Sequence, residues 1–262
     1  MTSRLAPIAV AVTLFMTAGI AAAFPTSKPG GGMPPSGPPQ QKVTTVKASG
    51  ELIDKVIEKY GGAKAVKKLA AYRMTGTIES FRDKETAPFT RSVRRPDGLM
   101  VDIRYTANPE KRYLLGNEGW RTGKDGIAKK VEGFQLHAMA LQAARADIPW
   151  ILSDRREELQ QAEMPLSDGR KGYLFILDLK NGMTVRYFVD AETFLVISSE
   201  GMLAGGPMGS ISFATYYEDF KPVAGVQVPH REINFTAGQK SGITVIEKVE
   251  ANPKLKDKEF KP

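Results

Sequence analysis

The chain of 262 residues contains no cysteine, only two histidines and only two tryptophans. Without cysteine it can form no disulfide, so its stability has to come from core burial. The same absence removes the lipobox cysteine that an acylated lipoprotein needs. A zinc site is not expected, because there is no thiolate and the two histidines do not form a ligand pair. His137 falls in an apolar helical stretch and His230 in a late strand after Pro229. Neither has an acidic neighbour at ligand spacing, and both read as structural side chains. Histidine is the commonest general base, and a Gly-x-Ser-x-Gly elbow, a Walker loop and a dinucleotide fingerprint are all missing. The sequence therefore implies no cofactor and no enzyme.

Long apolar runs are also scarce. The one present, Leu5 to Ile20, follows Arg4 and ends at Ala21-Ala22-Ala23. A short basic start, an apolar stretch and small residues before Phe24 are the pattern of a cleaved signal peptide over residues 1–23. The alternative, an uncleaved anchor, needs a longer span than this. The expected compartment is the periplasm, with the cell exterior as the other option. The net charge of +8 suits a transient contact with an anionic lipid surface. No tight basic run exists, and nucleic acid is not a partner expected outside the cytoplasm. A solvated basic surface accounts for the charge.

Residues 24–48 are rich in proline and glycine (PTSKPGGGMPPSGPPQQ) and have almost nothing to bury. They are expected to form a disordered tail that serves as a spacer. The folded domain is expected over residues 49–262. Ser49 reads as an N-cap, with Leu52, Ile53, Val56, Ile57 and Tyr60 at helical spacing on one face. Gly61-Gly62 breaks that helix, and a second short one follows from Ala63 to Ala71. Strand-like alternation then runs through 72–81, 89–95, 98–105, 112–115 and 119–122. Two helical stretches come next, one across Phe134–Ala144 and another across Ile151–Gln161, with Pro149 between them. The acidic and basic residues of 154–158 read as a solvated helix face. Strands resume at 171–179, 182–190, 194–200, 210–219, 226–236 and 242–250. About eleven strands with a helical insert, and no alternation of strand with helix, predict an α+β fold with one large antiparallel sheet.

The most informative stretch is Gly172 to Asp190. Asn181-Gly182 joins two strands in a hairpin. Tyr173, Phe175, Leu177 and Leu179 lie on one face of the first strand; Met183, Val185, Tyr187 and Val189 lie on one face of the second. Helices, a second sheet or an apolar ligand must cover so apolar a face. The Gly-rich run Gly201–Gly209 joins two strands rather than opening a helix, so it lacks phosphate-binding geometry. It reads as a hairpin loop, with an apolar flap carrying Met202, Leu203 and Met208 as the alternative.

The order of these features resembles the periplasmic outer-membrane lipoprotein-sorting superfamily, the LolA/LolB-like proteins. The resemblance rests on Tyr60-Gly61-Gly62 with Ala65 and Leu69, on Arg95-Pro96 before the Leu99–Tyr105 strand, and on Glu118-Gly119-Trp120. It continues through Tyr187-Phe188-Val189-Asp190, Tyr217, Gly225-Val226-Gln227-Val228-Pro229, and Asn252 with Leu255-Lys256-Asp257 and Phe260. It covers about residues 49–262. It implies an eleven-stranded, half-open antiparallel barrel with helices on its concave side, binding acyl chains between sheet and helices. The tail at 24–48 is extra to that pattern, and the missing cysteine excludes the membrane-anchored acceptor type.

The resulting expectation is a soluble, non-catalytic periplasmic carrier for lipid or for the acyl chains of an acylated protein. Its expected cavity lining is Tyr173, Phe175, Leu177, Val185, Tyr187, Ile211 and Phe213, completed by Trp120 and the lid-helix residues Leu136, Met139 and Leu141. Arg186 is expected to point away from that cavity. The alternative is a regulatory or scaffold module that binds an envelope protein partner with the same sheet.

Overall fold

The computed structural model describes residues 44–166, 169–203 and 210–262. In chain order the elements are β1 (Val46–Lys47), α1 (Gly50–Lys59), α2 (Ala63–Lys68), β2 (Ala71–Ser80), β3 (Glu85–Arg94), β4 (Gly98–Ile103), β5 (Glu110–Leu115), β6 (Glu118–Thr122) and β7 (Ala128–Val131). After these come α3 (Gly133–Ala146), α4 (Trp150–Asp154), a 3-10 turn (Arg156–Glu158) and β8 (Gln160–Pro165). The chain ends with β9 (Lys171–Asp178), β10 (Met183–Asp190), β11 (Val196–Leu203), β12 (Ile211–Val223), β13 (Val226–Thr236), β14 (Gln239–Ala251) and a last 3-10 turn (Asp257–Glu259).

Among the described residues, fourteen strands form one sheet in the order β1-β8-β9-β10-β11-β12-β13-β14-β2-β3-β4-β5-β6-β7. Every neighbouring pair is antiparallel. Two meanders, β2–β7 and β8–β14, meet where β14 pairs with β2. The outermost strands do not pair with each other, so the barrel stays half open. The segment from β7 to β8 must cross from one edge of the sheet to the other. It does so as α3 and α4, which lie over the concave face.

Three strands go beyond the expected set. β1 is a two-residue strand in which Val46 pairs with Gln161 and Lys47 with Gln160, so the ordered domain begins before Ser49. β7 is a short edge strand. β8 replaces the end of the helix expected over 151–161. Helix α4 stops at Asp154, and Gln160–Pro165 pairs along β9 instead. The rest of the proline-rich stretch, the residues 1–23 expected as a signal peptide, and most of the Gly201–Gly209 run lie outside the described residues.

Local chemistry explains the joints. Asn181 and Gly182 both have positive φ, 63° and 70°, as the hairpin turn requires. The Leu179 N–H closes that hairpin on the Met183 carbonyl at 2.8 Å. Gly61 has φ 122°, and a Cβ there would sit 1.9 Å from the Gly225 carbonyl oxygen. Only glycine lets the end of α1 approach the β12–β13 turn so closely. The contact is secured by the Gln227 N–H donating to the Tyr60 carbonyl at 2.9 Å. Leu52, Ile53, Val56 and Ile57 of α1 are all buried against the sheet side of this joint.

Helix α3 is tied down at one end. The Tyr187, Tyr217 and Tyr72 hydroxyls donate to the carbonyls of Ala144, Arg145 and Ala146 at 3.1, 3.1 and 2.8 Å. The last carbonyls of a helix have no partner within it, and here three tyrosines, two buried and Tyr217 partly so, supply one each. Burial raises the pKa of all three hydroxyls, which keeps them neutral donors.

Candidate functional site: a cavity between α3 and the sheet

The concave face has two parts. On β9, β10 and β11 it is filled. Phe175, Leu177, Val185 and Tyr187 are completely buried. Tyr187 sits opposite Phe175, Val185 opposite Leu177, and Gly201 opposite Val185. Leu141 of α3 packs onto Gly201 so tightly that a Cβ there would meet its side chain at 2.6 Å.

On β2–β5 and β12–β14 the concave face is hollow. A cavity of about 760 Å³ lies there, between the sheet and the flank of α3. That volume is in the range of small-molecule sites. Its apolar wall includes Met74, Ile78, Phe89, Val101, Ile103 and Phe213. The α3 wall presents Gln135, Ala138, Met139, Gln142, Arg145 and Ala146, positions that share one helical face. Phe134 stands at the margin of the cavity and is 46% exposed.

The cavity carries charge that the filled part lacks. Arg91 on β3 and Glu232 on β13 form a bidentate pair at 2.7 Å for both bonds. The pair spans the intervening strands β14 and β2 and is only 10% and 5% exposed. Burial alone lowers the Arg91 pKa, but Glu232 outweighs it and holds the guanidinium above its ordinary range. On β5, Glu110 accepts from Arg112 at 2.5 Å and sits 2.8 Å from Arg121 of β6. Burial pushes the Glu110 carboxyl up, yet the two arginines prevail and bring its pKa down to about 2. Arg112 also donates to Gln142 of α3 at 3.1 Å. Arg145 donates to Thr215, which donates to Asn234 at 3.0 Å, and Asn234 donates to Thr244 at 3.2 Å. A polar ladder therefore crosses β12, β13 and β14 on the cavity floor.

Of the expected lining, Met139, Ile211 and Phe213 face the cavity. Phe175, Leu177, Val185 and Tyr187 lie on the concave face but outside the cavity, because the protein's own side chains and α3 fill that part. Leu141 is spent on the Gly201 contact, and Leu136 packs on Gly119, 2.9 Å from where its Cβ would be. Tyr173 is half-buried and stacks on Phe194 with ring centroids 6.2 Å apart. Trp120, expected in the lining, does not face the cavity. It pairs with Tyr113 and Lys130, and the alternation of β6 puts it on the face opposite the inward Gly119 and Arg121. Trp150 lines the cavity instead, its indole N–H donating to the Val66 carbonyl at 2.6 Å. Arg186 points outward toward Glu200, at 3.5 Å.

His230 is buried with Nδ1 3.0 Å from the Val228 carbonyl oxygen, a contact that accounts for it structurally. Among the described residues, no group of three His, Asp or Glu side chains could hold a metal ion. No helix among them is long and apolar enough to cross a membrane.

No family model and no curated protein matches the sequence. Solved structures match in fold. One is a DUF1329 family protein from Desulfovibrio piger, with a TM-score of 0.52 at 11% identity, covering 80% of this chain and 96% of that one. A second is an outer membrane lipoprotein-sorting protein domain from Vibrio parahaemolyticus, with a TM-score of 0.50 at 9% identity over 80% and 94% of the two chains. A third is a LolA superfamily protein from Nitrosomonas europaea, with a TM-score of 0.50 at 11% identity over 82% and 98%. The half-open sheet with helices across its concave face is a LolA-like fold.

Proposed function

We propose that this protein is a soluble, non-catalytic carrier of the periplasm, holding the acyl chain of a lipid or lipoprotein between α3 and the sheet. The observation that carries the reading is the 760 Å³ cavity with its wall of Met74, Ile78, Phe89, Val101, Ile103, Met139 and Phe213. Each methylene moved from water into such a wall gains about 0.8 kcal/mol. The helix over the cavity is held at its C-terminal end by three tyrosines and carries an exposed Phe134 at its other end. That asymmetry fits a cover that can lift at the Phe134 end while its anchor stays in place. The lipoprotein-sorting domain among the similar folds supports the reading, as does the signal peptide expected at residues 1–23.

Native mass spectrometry of the protein purified from its own envelope tests this. The expected result is a bound mass in the lipid range that exchanges for added lipid. Protein that carries no ligand, and that also fails to bind lipid or an apolar fluorescent probe, refutes the proposal. A stable envelope protein recovered in place of lipid would favour the scaffold alternative.

A further inference from the structure

The carrier reading names an apolar cargo but does not say which end of it goes in first. The cations that line the cavity decide that. Arg91 is matched by Glu232, and Arg112 and Arg121 share Glu110. Arg145 is different. Among the described residues it has no carboxylate within ion-pair distance. Its one side-chain hydrogen bond is to Thr215, a neutral hydroxyl that is itself 4% exposed. Its Nε is buried without any acceptor. A guanidinium has five N–H donors, so most of them have no protein acceptor. A cation drawn partly out of water with no carboxylate beside it is costly.

The surroundings hold Arg145 in that position. Its stem runs over Gly201, where a Cβ would come within 3.0 Å of its Cδ. The Thr215–Asn234–Thr244 ladder props the guanidinium from the sheet side. Gln142, one helical turn earlier on the same face of α3, is taken up by Arg112. Around this polar end, Met74, Phe89, Val101, Ile103, Met139 and Phe213 line the remainder of the space. An apolar chamber with one fixed, unmatched cation is complementary to an amphiphile bearing one anionic head.

We infer that the cavity selects acidic single-chain amphiphiles, bound with the acid head inward on Arg145 and the alkyl tail along the apolar wall toward Phe134. This rests on the carrier reading and narrows its cargo. The shared chemistry is an anionic oxygen head, which either a fatty carboxylate or a monoacyl phosphate can supply.

The test is displacement of a neutral fluorescent probe, N-phenyl-1-naphthylamine, by palmitate, monopalmitoyl lysophosphatidate and hexadecanol. Charge-assisted hydrogen bonding by Arg145 is expected to make at least one acid bind about tenfold or more tighter than hexadecanol. In Arg145→Met that preference is expected to collapse to near unity while hexadecanol binding persists; Arg145→Lys should retain part of it. Which acid binds tighter separates the carboxylate source from the phosphate source. Equal binding of acids and alcohol by the unaltered protein overturns the inference and leaves the carrier reading standing, and this comparison needs no variant to fold. A preference that survives in Arg145→Met also overturns it, by placing the head elsewhere. Failure of all three compounds and the probe to bind overturns the inference and the carrier reading together.

Discussion

The two halves of the concave face share a strand pattern and differ in what their inward positions hold. On β9 and β10 these positions are Phe175, Leu177, Val185 and Tyr187, all fully buried. On β3, β4, β5 and β13 the equivalent rows include Arg91, Arg112, Glu110 and Glu232, interleaved with Phe89 and Val101. Uniformly apolar rows let α3 settle onto the sheet, helped by Gly201, until no space remains. Rows interrupted by charge must keep room for paired guanidinium and carboxylate groups, and the helix spans that half without filling it. The filled half is therefore the foundation and the hollow half the chamber.

Mutations should separate these roles. The largest effect is expected in the filled half, where Phe175→Ala should cost about 3–5 kcal/mol by creating a cavity in a closed core. Chemical denaturation would measure it, and Phe213→Ala in the chamber, at a half-buried site, should cost much less while weakening probe binding. If Phe213→Ala destabilises as much as Phe175→Ala, the distinction between foundation and chamber fails.

Glu232→Gln comes next. It leaves Arg91 buried without its counter-charge, for which a loss of about 3 kcal/mol is expected. The double change Arg91→Met with Glu232→Leu should recover most of that stability, since a buried pair is often replaceable by apolar side chains. It should also make the chamber behave more like the filled half, with less room for the probe.

A smaller effect follows from Glu110. Its pKa in the folded protein is about 2 against an ordinary 4.5. Its stabilising contribution is thus complete above about pH 4.5 and is lost as pH falls toward 2. Stability curves at pH 6 and pH 2.5 should show a part of the acid-induced loss, about 1–3 kcal/mol, that vanishes in Glu110→Gln. If that variant has the same acid sensitivity as the parent, the paired state of Glu110 is wrong.

The smallest change concerns the anchored end of α3. Tyr217→Phe removes the hydroxyl that donates to the Arg145 carbonyl and accepts from Ser199. About 1 kcal/mol is the expected loss, with faster probe exchange in stopped-flow as the helix loosens. Unchanged exchange would show that helix movement at this end does not control access.

Much of the fold was legible because apolar alternation, Asn181-Gly182 and Gly61-Gly62 are local signals. The strands not anticipated lack such signals. Gln160–Pro165 contains no β-branched or aromatic residue, and it becomes a strand only because β9 offers it a partner. β7 is short and carries two lysines, and β1 is two residues following a proline-rich stretch. The cavity was harder to place. Sequence alternation marks the inward face of every strand but does not say which inward face a helix will fill. One signal was available: Arg91 falls in the same row as Phe89 and Val93, and Arg112 and Glu110 share a row with Leu114. Charges at inward positions marked the chamber, whereas richness in apolar residues marked the filled half. Trp120 faces away from the chamber for a related reason. Its neighbour Gly119 occupies the inward position, so the tryptophan had to face the other way.

The two tryptophans offer the most direct test of where cargo sits. Trp150 lines the chamber and Trp120 lies on the opposite face of the sheet. Brominated palmitate quenches indole fluorescence only at close range, so it can be titrated into Trp120→Phe and Trp150→Phe separately. Saturable quenching of Trp150 in the first variant, with Trp120 unaffected in the second, is the result the account requires. Quenching of Trp120, or saturable binding that leaves Trp150 bright, would contradict it.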